Sequence, residues 1–119
     1  DRFHIHKYLS VKREDVVNNF SLYNLLDDQV IILDGWFNET LPNAPIKELA
    51  ILRIDADMYG STMEVLQHLY PKLTKGGFCI IDDYALPGCQ KAVNDYRRDN
   101  SIGSQVREID WTGIFWQKD

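Results

Sequence analysis

Three short runs of continuous apolar residues interrupt an otherwise mixed chain: "QVIIL" at 29–33, "LAIL" opening 49–54, and "FCII" at 78–81. Such runs, bounded by Gly, Asp or Pro, predict strands buried on both faces. Elsewhere the apolar positions recur at helical spacing. Val16, Val17, Phe20, Tyr23 and Leu26 follow Ser10, which predicts a helix over 11–25 capped by that serine. The acids at 27–28 predict a turn. "GWFNETLPNAP" reads as a loop, since Pro42 and Pro45 oppose a regular element. Ser61 and Glu64 form a capping-box pattern. The helix they open carries Val65, Leu66, Leu69 and Leu73 on one face, Pro71 constrains its last turn, and "TKGG" ends it. A further helix is predicted over 89–99. Segments 105–109 and 114–117 read as an antiparallel hairpin around "DWTG". The alternation in "FHIHKYL" suggests a short extended piece near the start.

Continuous apolar strands alternating with amphipathic helices predict an α/β fold built on a parallel sheet. With 119 residues the chain is long enough for one domain and too short for two. Its net charge of −5 is spread without an acidic or basic tail, so no basic face points to nucleic acid. No apolar run reaches the ~20 residues of a membrane span. Cys79 and Cys89 lack the spacing of a disulfide framework and are expected to stay reduced, which fits a cytoplasmic setting.

The chemistry concentrates at two strand ends. Asp55 and Asp57 follow the second apolar run, and Asp82 and Asp83 follow the third. Ligands of open α/β sheets bind beyond the carboxyl ends of the strands. Asp55 and Asp57 share a face if strand conformation persists through them. Asp82 and Asp83 diverge in a straight strand and converge only where the chain bends. Clustered carboxylates repel one another unless a cation compensates. A hard divalent cation such as Mg²⁺ takes oxygen ligands and keeps positions for water or substrate. Simpler roles stand beside this one: Asp57 as a helix cap, and Asp82-Asp83 as a solvated turn.

The stretch "LAILRIDADMYGSTMEVLQHLYPKLTKGGFCIIDDY" resembles the macrocin O-methyltransferase family, S-adenosylmethionine-dependent enzymes that methylate sugar hydroxyls of antibiotics and related natural products. "VVNNFSLYNLLDDQVIILDGWFNETLPNAP", "CQKAVNDYRRDNSI" and "EIDWTGIFWQ" extend the likeness over nearly the whole chain. The resemblance implies a Rossmann-like class I methyltransferase fold with strand order 3-2-1-4-5-7-6. On that template 30–33 is strand 3, 49–54 strand 4 and 78–81 strand 5. The hairpin supplies strands 6 and 7, in a mostly parallel sheet with a C-terminal antiparallel hairpin. No Gly-rich loop follows a first strand, where the family holds the methionine part of the cofactor. Residues 1–119 therefore resemble a single partial domain, the C-terminal part of such an enzyme, and the isolated chain is expected to be inactive.

Position by position, the resemblance implies Asp55, Asp82 and Asp83 as metal ligands and Asp57 as the base that takes the sugar hydroxyl proton. Ala56 stands where relatives commonly have Gly. Gly35, Trp36 and Phe37 fall in the loop that approaches the adenine ring, or serve as lid packing. Tyr59 and Tyr84 line the acceptor pocket or close the core. The acceptor is a sugar or glycoside, and the family's habit of association implies a homo-oligomer. His4 and His6 lack a third ligand for zinc, His68 falls mid-helix, and "YRRD" (96–99) reads as a solvated helix end. Three rivals remain: a metal-dependent glycosyltransferase reading "DAD" as D-x-D, a receiver-type domain, and a truncated non-catalytic protein.

Overall fold

The computed structural model describes residues 11–119. The extended piece expected at 3–9, His4, His6 and the cap at Ser10 lie outside the described residues. The chain divides into two compact units, with the boundary between Gly35 and Trp36.

In the first unit, helix α1 (Arg13–Leu22) is shorter than its apolar spacing predicts. The Asp15 carboxylate accepts the Lys12 backbone N–H at 3.3 Å, so the start is set locally. Its end is a Schellman motif. Asn24 takes φ +56°, Leu25 N–H donates to the Phe20 carbonyl at 2.8 Å, and Asn24 N–H donates to that of Ser21 at 3.0 Å. This chain reversal stops the helix before Leu25. The predicted turn follows, with Gln29 N–H on Asp27 Oδ1 at 2.9 Å. The strand expected at 29–33 does not form: 30–33 joins no ladder, and Ile31 and Leu33 are exposed. β-propensity reflects packing against paired neighbours, and no described strand pairs with this segment.

In the second unit, the expected loop after Gly35 contains helix α2 (Phe37–Thr40) and a 3₁₀ turn, Leu41–Asn43. Pro42 sits at the start of that turn, where its missing N–H costs nothing. Then come β1 (Leu49–Ile54), α3 (Tyr59–Leu69), a 3₁₀ turn (Tyr70–Lys72), β2 (Leu73–Ile81), α4 (Pro87–Asp99), β3 (Arg107–Glu108) and β4 (Ile114–Gln117). The sheet order is β1-β2-β4-β3. β1 and β2 are parallel, joined by α3, while β4 runs antiparallel to both β2 and β3. The α/β class and the hairpin are as expected. The sheet is mixed rather than mostly parallel, because 30–33 contributes no strand and the hairpin adds two antiparallel pairings.

β2 also starts earlier than expected, so "TKGG" lies within it instead of ending the helix. The register jumps from Leu49 opposite Leu73 to Ile51 opposite Phe78. Gly76 and Gly77 absorb the jump. Gly76 has φ +78°, and a Cβ on Gly77 would stand 2.8 Å from the Ala50 carbonyl oxygen.

One face of the sheet presents Leu52, Ile54, Cys79, Ile81, Ile114 and Trp116, all buried. Val65, Leu66 and Leu69 of α3 and Cys89, Val93 and Tyr96 of α4 complete this core. The Trp116 indole N–H donates to the Tyr70 hydroxyl at 3.1 Å, and the Arg97 guanidinium lies 4.6 Å from the indole centroid. Alternate residues of the same strands (Ile51, Arg53, Phe78, Ile80 and Phe115) point to the opposite face and are exposed or half-buried.

Candidate active site

The site is built where β1 and β2 end side by side. Asp82 N–H donates to the Ile54 carbonyl at 2.9 Å, which carries the parallel ladder one residue past β2. Strand alternation then puts Asp82 on the face of Ile80, beside the Arg53 that pairs with Ile80. The Arg53 guanidinium spans two acids: Nη1 lies 3.1 Å from Asp55 Oδ2 and Nη2 lies 2.8 Å from Asp82 Oδ2. Arg53 is absent from the candidates that the sequence suggests. Its i, i+2 spacing to Asp55 was the available signal.

Asp57 leaves the strand geometry altogether. Its φ of +56° is uncommon for a residue with a side chain, and Met58 N–H folds back onto the Ala56 carbonyl. Ser61 Oγ–H donates to that same carbonyl at 2.6 Å. The expected capping box therefore does not form. α3 begins two residues before Ser61, Met58 stands at its N-cap without a side-chain cap, and the serine pins the acid turn. Glu64 pairs with His68 at 3.4 Å instead. Nor does Asp57 cap α3. Gly88 lets the starts of α3 and α4 approach closely, since a Cβ there would lie 3.2 Å from the Tyr59 backbone N.

These bends bring Asp55, Asp57 and Asp83 together. Each offers one carboxylate oxygen, and the three lie within 4.8 Å of one another. Asp82, one residue from Asp83, faces Arg53 instead. Asp83 Oδ2 is buried with no hydrogen-bond partner. Burial, followed by the neighbouring Asp57 and Asp55, pushes the Asp83 carboxyl up to about 7. When all three acids are ionised, none has a proton to share. Three clustered carboxylates, one of them with an unpartnered buried oxygen, offer the oxygen ligands that a hard divalent cation takes, so the residues present fit one.

Thr62 and Cys89 are fully buried residues of α3 and α4. Burial raises the Cys89 thiol, and the charges of Asp83 and Asp57 raise it further, so it is a neutral packing group and no nucleophile. The tyrosines that follow the acid pairs have their hydroxyls held by α4. Tyr59 donates to Asp95 at 3.1 Å and Tyr84 to Asn94 at 2.9 Å. Trp36 and Phe37 lie at the start of α2 and are exposed. Gly35, φ +135°, closes the preceding unit.

The macrocin-O-methyltransferase (TylF) family matches residues 1–118. The chain belongs to this family. A mycinamicin III 3''-O-methyltransferase of Micromonospora griseorubida is 53% identical over 103 residues, covering 87% of this chain and 41% of that protein. An 8-demethyl-8-(2,3-dimethoxy-alpha-L-rhamnosyl)-tetracenomycin-C 4'-O-methyltransferase of Streptomyces olivaceus is 51% identical, covering 98% and 45% respectively. The chain thus spans less than half the length of these relatives. Among solved structures, the O-methyltransferase NovP matches with a TM-score of 0.95 and 46% identity over 98% of this chain and 49% of that one. CalS11, a TDP-rhamnose 3'-O-methyltransferase, shares the fold at a TM-score of 0.71 and 19% identity, covering 91% of this chain and 54% of that one. Membership in the macrocin-O-methyltransferase family sets aside the glycosyltransferase and receiver-domain readings. Among the described residues, no helix is long and apolar enough to cross a membrane.

Proposed function

We propose that this chain is the acid-bearing part of an S-adenosylmethionine- and Mg²⁺-dependent O-methyltransferase that acts on a hydroxyl of a sugar or glycosylated natural product. The observation that carries the reading is the convergence of Asp55, Asp57 and Asp83 at adjacent parallel strand ends in a member of this family. The order β1-β2-β4-β3 supports reading these strands as 4-5-7-6 of the family's template. In this reading Asp55 and Asp83 hold the cation with Asp82 as a third ligand, and Asp57 is the base. Support for Asp55 and Asp83 is their present proximity. Support for Asp82 is its place next to Asp83, with the Arg53 guanidinium bridging it to Asp55 of the cluster.

When bound, S-adenosylmethionine supplies the methyl group from its sulfonium, and a cation supplies acidity to the acceptor hydroxyl. The residues of the chain orient the acceptor and move its proton. Asp57 accepts that proton at a carboxylate oxygen, and its left-handed turn, pinned by Ser61, aims it. In-line transfer depends on alignment, so a rigid acid turn contributes directly to rate. The Tyr59 and Tyr84 rings are proposed to line the acceptor pocket, and Gly35, Trp36 and Phe37 to meet the adenine. Both cysteines are free and buried, which suits a cytoplasmic enzyme. A homo-oligomer belongs to the same proposal.

The test uses the protein expressed from its full reading frame, methyl-labelled S-adenosylmethionine, and glycosides such as mycinamicin III. Label is expected in the glycoside with Mg²⁺ present and lost on chelation. Asp57→Asn is expected to lower turnover by roughly 10²–10⁴-fold while changing Mg²⁺ affinity less. Wild-type turnover in that variant removes Asp57 as the base. No transfer to any glycoside favours the non-catalytic alternative.

A further inference from the structure

We propose that Arg53 is the resident counter-cation of this site, offsetting part of the charge of Asp55 and Asp82 and competing with a bound divalent cation for both. The inference rests on the cation reading of the acid cluster. Its basis is the uneven sharing of charge at the strand ends. Asp55 and Asp82 each face one nitrogen of the Arg53 guanidinium, whereas Asp57 and Asp83 take no ion pair among the described residues. The guanidinium grips two carboxylates from two strands, with one nitrogen for each. That bridging geometry suits a planar fork and not a point-charge ammonium.

Arg53, Asp55 and Asp82 are each about half exposed, with side-chain exposures of 53%, 50% and 43%. Exposed ion pairs contribute little rigidity. What Arg53 adds is therefore chiefly a positive charge beside the acids, together with occupation of the Asp82 carboxylate. Both effects oppose a second cation. Arg53 thus restrains cation affinity and occupies Asp82, which strand alternation already sets apart from the Asp55–Asp57–Asp83 cluster.

The experiment titrates Mn²⁺ into the metal-free protein at low ionic strength, following free Mn²⁺ by electron paramagnetic resonance. Arg53→Met and Arg53→Gln are both expected to bind Mn²⁺ roughly three- to tenfold more tightly than wild type, as removal of one nearby unit charge implies. The gain should shrink as added salt screens it. Arg53→Lys should show a smaller gain than the two neutral variants, because the charge remains while the bridge between the two carboxylates is lost. Asp82→Asn in the Arg53→Met background should cancel part of the gain. Wild-type Mn²⁺ binding that Arg53→Met and Arg53→Gln leave unchanged or weaken overturns the role of Arg53 alone. Failure of wild type and all variants to bind Mn²⁺ overturns the cation reading and this proposal together. Circular dichroism melts identify any variant whose change reflects unfolding, and the second neutral variant then decides.

Discussion

The two faces of the sheet are made by alternate residues of the same strands, yet they behave as different materials. Trp116, Cys79 and Ile81 are sealed beneath α3 and α4; Phe115, Phe78 and Ile80 are their immediate neighbours and remain exposed or half-buried. The division continues past the last strand residue into the site. Asp82 falls on the open face and pairs with Arg53, while Asp83 turns inward and keeps a buried oxygen unpaired. The apolar positions and the Asp82-Asp83 pair are thus sorted by the same two-residue period. What a residue does here depends on the face that receives it more than on its type.

The largest test of that contrast is the pair Trp116→Ala and Phe115→Ala. Trp116→Ala removes a fully buried indole and its hydrogen bond to Tyr70. Urea denaturation should show a loss of about 3–5 kcal/mol, against about 1 kcal/mol for Phe115→Ala. Equal losses would mean that the open face is covered in the working protein. Gly77→Ala comes next. Its Cβ meets the Ala50 and Thr74 carbonyl oxygens at 2.8 and 2.9 Å, and overpacking against backbone should cost about 1–3 kcal/mol. A neutral result would show that the register jump between β1 and β2 is adjustable.

The acid pair gives subtler effects. The Asp83 carboxyl is raised from 3.8 to about 7 in the folded protein. Its contribution to stability is therefore fully present below pH 3.8 and is lost as pH rises through about 7. Asp83→Asn should escape that loss. Its melting temperature relative to metal-free wild type should climb between pH 4 and pH 8, and added Mg²⁺ should recover wild type above pH 7. A pH-independent difference would place Asp83 outside the acid cluster. The smallest effect belongs to Asp82→Asn, which breaks one half-exposed ion pair with Arg53. Less than about 1 kcal/mol should be lost, and a larger loss in thermal melts would show that Arg53 locks the strand ends.

Much of this was readable from the chain. Strand β1 lies where its apolar run predicts, because a short run followed by a charged tip has few other ways to be buried. Helix α4 and the hairpin are also in place, with ends shifted by one or two residues. The segment at 30–33 misled, since it has a strand's composition but no described partner. Ser61 misled for a local reason: its hydroxyl donates to the Ala56 carbonyl across the left-handed turn at Asp57 and caps no helix N–H. The site divides in the same way. Four acids at two strand ends announce themselves in the sequence, but the bond from Arg53 to Asp82 joins residues 29 positions apart in the chain.

The sequence by itself determined the α/β class, the strand ends that carry the acids, and the macrocin O-methyltransferase resemblance. These are properties of local pattern, in which hydrophobic period and residue order suffice. Only the tertiary structure decided which acids meet. That outcome depends on a parallel register between β1 and β2, a left-handed turn at Asp57, and the close approach of α3 and α4 at Gly88. The register and the approach at Gly88 are set by contacts between distant segments, and the acid turn by a Ser61 hydrogen bond that the residue pattern reads as a helix cap, so local pattern does not reveal them.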